Sequence, residues 1–324
     1  MHLLRLAALS TTLVLGSAGA ADLPPAGGTV IPLWPEGVPG APRAAALHGR
    51  PDLGPEAVGE LEHTSNVSVP TLTVFRPAVD RPNGTAVIIC PGGGYYNLSV
   101  AREGVQYANW LGTLGVTPFI LKYRLVEFGH PAPLRDVLRA IRIVRARAAE
   151  FRVDPERIGV MGSSAGGHLA ACAGTLFDDP SGRTGAPLDA VSGRPNFLIL
   201  LYPVITMDGP AAHAGSREGL LGPDPDPALL RQLSVEQQVT AATPPTLLIH
   251  TQDDQSVLVE NSILFYQALT RAGVPAEMYL YQHGEHGMGL RDGLGNASAW
   301  PRRAEEWLRI RGLLEPSRPA AGPR

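Results

Sequence analysis

Cysteine is scarce in this 324-residue chain: Cys90 and Cys172 are the only two. Two thiols make no disulfide framework, and neither belongs to a C-x-x-C spacing that could hold zinc. An H-E-x-x-H pattern is also missing, so the sequence offers no metal centre. Cys90 ends an apolar run and Cys172 lies within another, and both read as small buried side chains. Lysine is scarcer still, with Lys122 alone among 27 basic residues, and the arginines are scattered rather than clustered. With a formal net charge of −3, the chain is poorly suited to nucleic acid or an anionic membrane surface as a partner. It also lacks any apolar run long enough to cross a bilayer. The candidate, Leu6 to Leu15, follows His2 and Arg5 and precedes the small residues Ser17-Ala18-Gly19-Ala20. Residues 1–20 therefore read as a cleavable export signal, and the mature protein as periplasmic or secreted.

What is present is the composition of an ordinary globular protein, 44% apolar and 18% charged. Residues 21–314 are long enough for one large domain. A Pro/Gly-rich stretch to about Pro55 has little periodicity and reads as surface wrapping. Thr71 to Phe75 alternates as a half-buried strand. The runs Ala86–Cys90, Val116–Tyr123, Ile158–Met161, Phe197–Tyr202 and Thr246–His250 are apolar throughout, as strands covered on both faces are. Apolar residues at Leu134, Val137, Leu138, Ile141 and Val144 mark an amphipathic helix reaching to Glu150. Glu260–Arg271 and Trp300–Leu314 read as further helices, and Ala276–Tyr281 as a last strand. Alternating strands and helices predict an α/β fold, a mostly parallel sheet with helices on both faces. Residues 203–243 break the alternation and read as an insertion near the mouth of the site, and 315–324 as a disordered tail.

In such sheets chemistry gathers beyond the carboxyl ends of the strands. After Met161 stands Gly162-Ser163-Ser164-Ala165-Gly166, a G-x-S-x-G pentapeptide that only Ser164 can centre, because Met161 stands where Ser163 would need a glycine. The glycines permit a tight strand-to-helix turn that presents a nucleophile. After Cys90 comes Pro91-Gly92-Gly93-Gly94-Tyr95. Its glycines let backbone amides approach a ligand, and the N–H groups of Gly93 and Gly94, with that of Ala165, suit an oxyanion. No Gly-Lys-Ser/Thr ending follows, which argues against a phosphate loop. Tyr95 and Tyr96 offer either flat surfaces for a sugar ring or packing against the insertion. Of the histidines after Tyr281, His286 has flanking glycines and greater distance from the strand end, and is the candidate base. His168 reads as a structural histidine and His283 as a neighbour. Asp253 and Asp254 both follow the His250 strand, and spacing alone does not choose which would orient His286.

Together these motifs resemble the acetyl esterase/lipase branch of the α/β hydrolases, whose order is also serine, acid, histidine. The likeness is to bacterial proteins labelled acetylxylan or feruloyl esterases, some of them endo-xylanases. It covers most of the mature chain. It includes Leu33-Trp34-Pro35, Leu121-Lys122-Tyr123-Arg124-Leu125, His130-Pro131-Ala132-Pro133-Leu134-Arg135-Asp136, Asp154-Pro155-Glu156-Arg157-Ile158-Gly159 and His250-Thr251-Gln252-Asp253-Asp254. The resemblance implies an α/β-hydrolase fold and an acyl ester on a plant polysaccharide as substrate. It also implies that no metal or organic cofactor is needed. It places the acid at Asp254, four residues after His250 and three before Val257. Leu258 departs from the proline common at that point in the family.

Overall fold

The computed structural model describes residues 28–43, 56–58, 63–77 and 82–317. The expected export signal lies outside them. In chain order the strands are β1 (Thr29–Pro32), β2 (Ala57–Val58), β3 (His63–Ser65), β4 (Thr71–Val74), β5 (Ala86–Cys90), β6 (Leu98–Ser99), β7 (Thr117–Lys122), β8 (Ile158–Ser163), β9 (Phe197–Leu201), β10 (Thr246–Thr251) and β11 (Ala276–Tyr281). Eight of them form one sheet in the order β1-β4-β7-β5-β8-β9-β10-β11. Its β1/β4 and β4/β7 pairs are antiparallel, and every later pair is parallel. β2, β3 and β6 make a small antiparallel sheet apart from it.

The helices are α1 (Gln106–Thr113), α2 (Ala132–Ala146), α3 (Ala148–Phe151), α4 (Ser164–Thr175), α5 (Ala214–Leu221), α6 (Pro227–Leu233), α7 (Glu260–Arg271) and α8 (Trp300–Ile310). Every residue of β5, β8, β9 and β10 is buried, which is why these strands are apolar without alternation. Successive residues of β5 feed opposite layers. Ile88 and Cys90 pack with Val137, Leu138 and Ile141 of α2, Leu169 of α4 and Phe265 of α7. Val87 and Ile89 pack with Tyr107 and Leu111 of α1 and with Trp300 and Trp307 of α8. Both cysteines are buried and unpaired.

Four expectations change. One is the last helix, which ends at Ile310 and not at Leu314. The Pro/Gly-rich stretch contains a strand, β1, that pairs with β4, and it buries Leu33 and Trp34. Four residues, with Ile31 inward and Val30 outward, are too few for a period to show. The helix expected to reach Glu150 stops at Ala146, and Arg147 leaves helical geometry before the short α3. Glu315 and Ser317, expected in a disordered tail, are held to the fold, Arg157 donating to the Glu315 carbonyl at 2.8 Å and Ser317 N–H to Asn83 O at 3.0 Å. Residues 318–324 lie outside the described chain. Between β9 and β10, the expected insertion folds as α5, α6 and a 3₁₀ turn, Val235–Gln237.

Candidate active site

Ser164 is the first residue of α4 and has φ of +55°, a left-handed conformation that costs a non-glycine residue energy. The turn is closed by near contact of backbones. A Cβ on Gly162 would stand 2.1 Å from Gly166 O, and one on Gly166 would stand 2.1 Å from Cys90 O. Side chains at either place would force the strand and helix apart, so the spacing of the two glycines is a steric requirement. The start of α4 then aims its unpaired N–H groups and positive dipole end at the space before Ser164.

The loops after β10 and β11 bring Asp254 and His286 to this serine. His286 Nε2 is 2.9 Å from Ser164 Oγ, and His286 Nδ1 is 2.7 Å from Asp254 Oδ2. A carboxylate can only accept, so the imidazole proton sits on Nδ1 and Nε2 is left to accept from the serine. Asp254 is buried, and its Oδ1 accepts from the N–H groups of Ser256 and Val257 at 2.9 Å each. Burial alone would raise its pKa. Hydrogen bonds from His250 and His286 and from the backbone outweigh burial, and the group lies well below the ordinary carboxylate range. His250 is itself fixed by Val257 O at 2.9 Å and Ser262 Oγ at 2.7 Å. Asp253 faces elsewhere, toward exposed His283 at 3.3 Å and the Gly284 N–H at 3.0 Å. Geometry thus makes the choice between the aspartates that spacing leaves open.

The glycine loop lies against the serine, since a Cβ on Gly92 would be 3.0 Å from Ser164 Cβ. Gly93 and Gly94 have φ of +136° and +65°. Their N–H groups and that of Ala165 donate to no other described residue. Gly92 N–H differs, being held by Glu103 Oε2 at 2.7 Å. Tyr95 corrects an expectation: it is 1% exposed, its hydroxyl is bonded to His168 Nδ1 at 2.7 Å, and it offers no surface to a sugar. Its φ of +66° turns the side chain inward beneath the loop. Tyr96 is half-buried beside Gly219 of α5. His168 is buried between Tyr95 and the Leu233 carbonyl, 2.8 Å from Nε2. Burial lowers its pKa to about 4, so it is a neutral structural group.

Two further residues escape sequence reasoning. His213 caps the start of α5, with Nδ1 accepting from Ser216 N–H at 3.2 Å. Burial lowers its pKa, and the helix it caps packs against the glycine loop, where a Cβ on Gly219 would stand 2.6 Å from Gly94 O. The insertion has no period from which this could be read. Glu103 is buried under the glycine loop, where it accepts from Gly92 and, at 2.8 Å, from the Tyr202 hydroxyl. In sequence it is a lone acidic residue between the Gly93-Gly94 loop and the Val116–Tyr123 run, with no motif around it. Among the described residues no cluster of three or more His, Cys, Asp or Glu side chains is placed to hold a metal.

A mostly parallel sheet, a left-handed serine at a strand-to-helix turn, and acid and histidine on later loops define an α/β hydrolase. Within that class, the chain belongs to the BD-FAE family, whose model matches residues 72–269. It is 38% identical over 215 residues to an acetylxylan esterase of Xylanibacter ruminicola, covering 65% of this chain and 42% of that protein. It is 36% identical over 206 residues to endo-1,4-beta-xylanase B of Butyrivibrio fibrisolvens, covering 62% of this chain and 32% of that one. The chain therefore spans less than half the length of these two relatives. A crystal structure titled acetyl ester-xyloside bifunctional hydrolase, from Caldicellulosiruptor lactoaceticus, superposes with a TM-score of 0.74 at 39% identity. It covers 88% of this chain and 97% of that one.

Proposed function

We propose that the protein is a serine esterase that removes short acyl groups, acetyl foremost, from xylan or a related plant polysaccharide. The observation that carries this reading is the single imidazole, His286, bonded to Ser164 Oγ on one side and to Asp254 on the other. Ser164 Oγ attacks the ester carbonyl as His286 Nε2 takes its proton, and Asp254 stabilises the imidazolium that results. The carbonyl oxygen becomes an oxyanion held by the N–H groups of Gly93, Gly94 and Ala165. His286 gives its proton to the departing sugar oxygen, leaving acetyl on Ser164. Water then attacks the acyl-enzyme with the same base, releasing acetate and restoring the serine. The acetyl and xylan parts of the reading draw support from what the relatives are called. The export signal read in residues 1–20 suits a polymer outside the cell, and N-terminal sequencing of the exported protein would locate its cleavage site.

One neighbour's title adds xyloside hydrolysis, which makes glycosidase activity the second reading. Glycosidases need two carboxylates flanking the bond. Asp254 and Glu103, the carboxylates bonded to the histidine and the glycine loop around this serine, are buried and held by their own neighbours. A hydrolysis panel separates the readings. We expect acetate from native acetylated xylan, no xylose from deacetylated xylan, and loss of acetate release in Ser164→Ala. Methyl ferulate preferred over acetylated xylan would move the acyl group to feruloyl. Xylose release that survives Ser164→Ala would overturn the esterase reading.

A further inference from the structure

Glu103 is an expensive residue that the reaction as described leaves unused. It lies in a π-helical turn, Ala101–Val105, directly ahead of α1, and is 5% exposed. Among the described residues no Arg or Lys forms an ion pair with it, so an apolar side chain would fill its place at lower cost. Such wide turns are kept mostly where function needs them.

Its contacts reach three parts of the site. Oε2 holds the Gly92 N–H at 2.7 Å, next to the proposed oxyanion donors. Oε1 accepts from the Tyr202 hydroxyl at 2.8 Å, and the Tyr202 ring meets the His286 ring edge-on with centroids 5.0 Å apart. The Tyr202 hydroxyl is 3.0 Å from that of Tyr107, which is 3.2 Å from Ser163 Oγ, one residue before the nucleophile. Tyr202 has φ of +35°, a strained value for tyrosine. Hydroxyls that donate in turn toward one carboxylate favour its charged form.

We propose that Glu103 is a positioning residue for the esterase reaction. It fixes the glycine loop over the reacting carbonyl and, through Tyr202, steadies His286 and adds negative charge beside the imidazolium. This rests on the serine mechanism proposed above. Burial pushes the Glu103 pKa up on balance, and the hydrogen bonds from Tyr202 and Gly92, with the nearby His286 and Arg102, oppose that rise and favour the carboxylate. The other groups that bear on His286 are Asp254, which carries the opposing charge directly, and His213, whose pKa burial lowers; Arg102 acts on Glu103.

The test compares wild type, Ser164→Ala, Glu103→Gln and Tyr202→Phe on p-nitrophenyl acetate across pH, with melting temperatures alongside. Glutamine keeps the shape, and the Tyr202 hydroxyl can turn to accept from its amide. We expect Glu103→Gln to lower kcat roughly 10- to 100-fold with KM within about twofold. The acid limb of its kcat/KM profile should move to lower pH, because losing a nearby negative charge makes the imidazole easier to deprotonate. Tyr202→Phe should shift the limb the same way by less, and serves alone if Glu103→Gln does not fold. A structural role would move only the melting temperature. Wild-type kcat and an unmoved acid limb in the folded variants would overturn the proposal. Activity surviving in Ser164→Ala would instead overturn the serine mechanism itself.

Discussion

Asp253 and Asp254 are neighbours in the chain with different work. Asp254 is clamped by two backbone N–H groups on one oxygen and two histidines on the other, so its orientation is over-determined. In Asp254→Asn the oxygen stays with the backbone donors and the amide NH₂ faces His286. That forces the proton onto Nε2, where it points at the serine. We expect kcat to fall about 10⁴-fold, as wrong-tautomer variants do, measured by initial rates on p-nitrophenyl acetate. Asp253→Asn removes only a charge near exposed His283 and should cost less than about tenfold in the same assay. If the two variants fell equally, the orientation argument would fail.

The element that decides most is α4 with the turn before it. Gly166 meets the carbonyls of Cys90 and Pro91 at distances no Cβ tolerates. Gly166→Ala should therefore destabilise by at least about 1–3 kcal/mol, seen as a lower denaturation midpoint. The same helix carries His168, which joins the Tyr95 hydroxyl under the glycine loop to the end of α6. Its pKa is lowered from 6.5 to about 4 by burial, so the unfolded chain binds its proton more tightly. Stability from this group is whole above pH 6.5 and is lost as pH falls toward 4, by an amount on the order of 3 kcal/mol. His130 is lowered to about 4 in the same sense. Urea midpoints at pH 7 and pH 5 should fall less in His168→Gln than in wild type. An equal fall would show that His168 titrates normally in the fold. The Asp254 share of acid instability lies lower, below its ordinary value of 3.8.

At the scale of the whole molecule, Asp136 of α2 ties distant segments together. It accepts from Trp34 Nε1 at 2.8 Å and pairs with Arg124, just after β7, at 2.7 Å. Both charges are wholly buried, and Arg124 also reaches the Pro39 carbonyl. Removing one partner strands the other, so Asp136→Ala should lose roughly 3–5 kcal/mol in urea denaturation. Ser164, Asp254 and His286 lie on other elements, and the folded fraction should keep its kcat. The Leu121–Leu125 and His130–Asp136 motifs of the family resemblance thus include a buried ion pair, a structural role that their spacing does not reveal.

The sequence by itself determined the central strands, whose burial on both faces demands unbroken apolar runs. It also determined the serine turn, because only glycines fit where backbones nearly touch. The order of serine, acid and histidine was legible for the same reason: each follows a strand whose end can be read. Spacing leaves two aspartates open and the family resemblance points to Asp254; in the tertiary structure it is Asp254 that is bonded to His286, since adjacent side chains differ only in direction. The tertiary structure alone turned Tyr95 into the core and Glu103 beneath the loop, because burial of a polar group depends on partners far along the chain. It alone brought α5, with His213 at its start, against the glycine loop and recruited β1, whose few residues gain order only by pairing with β4.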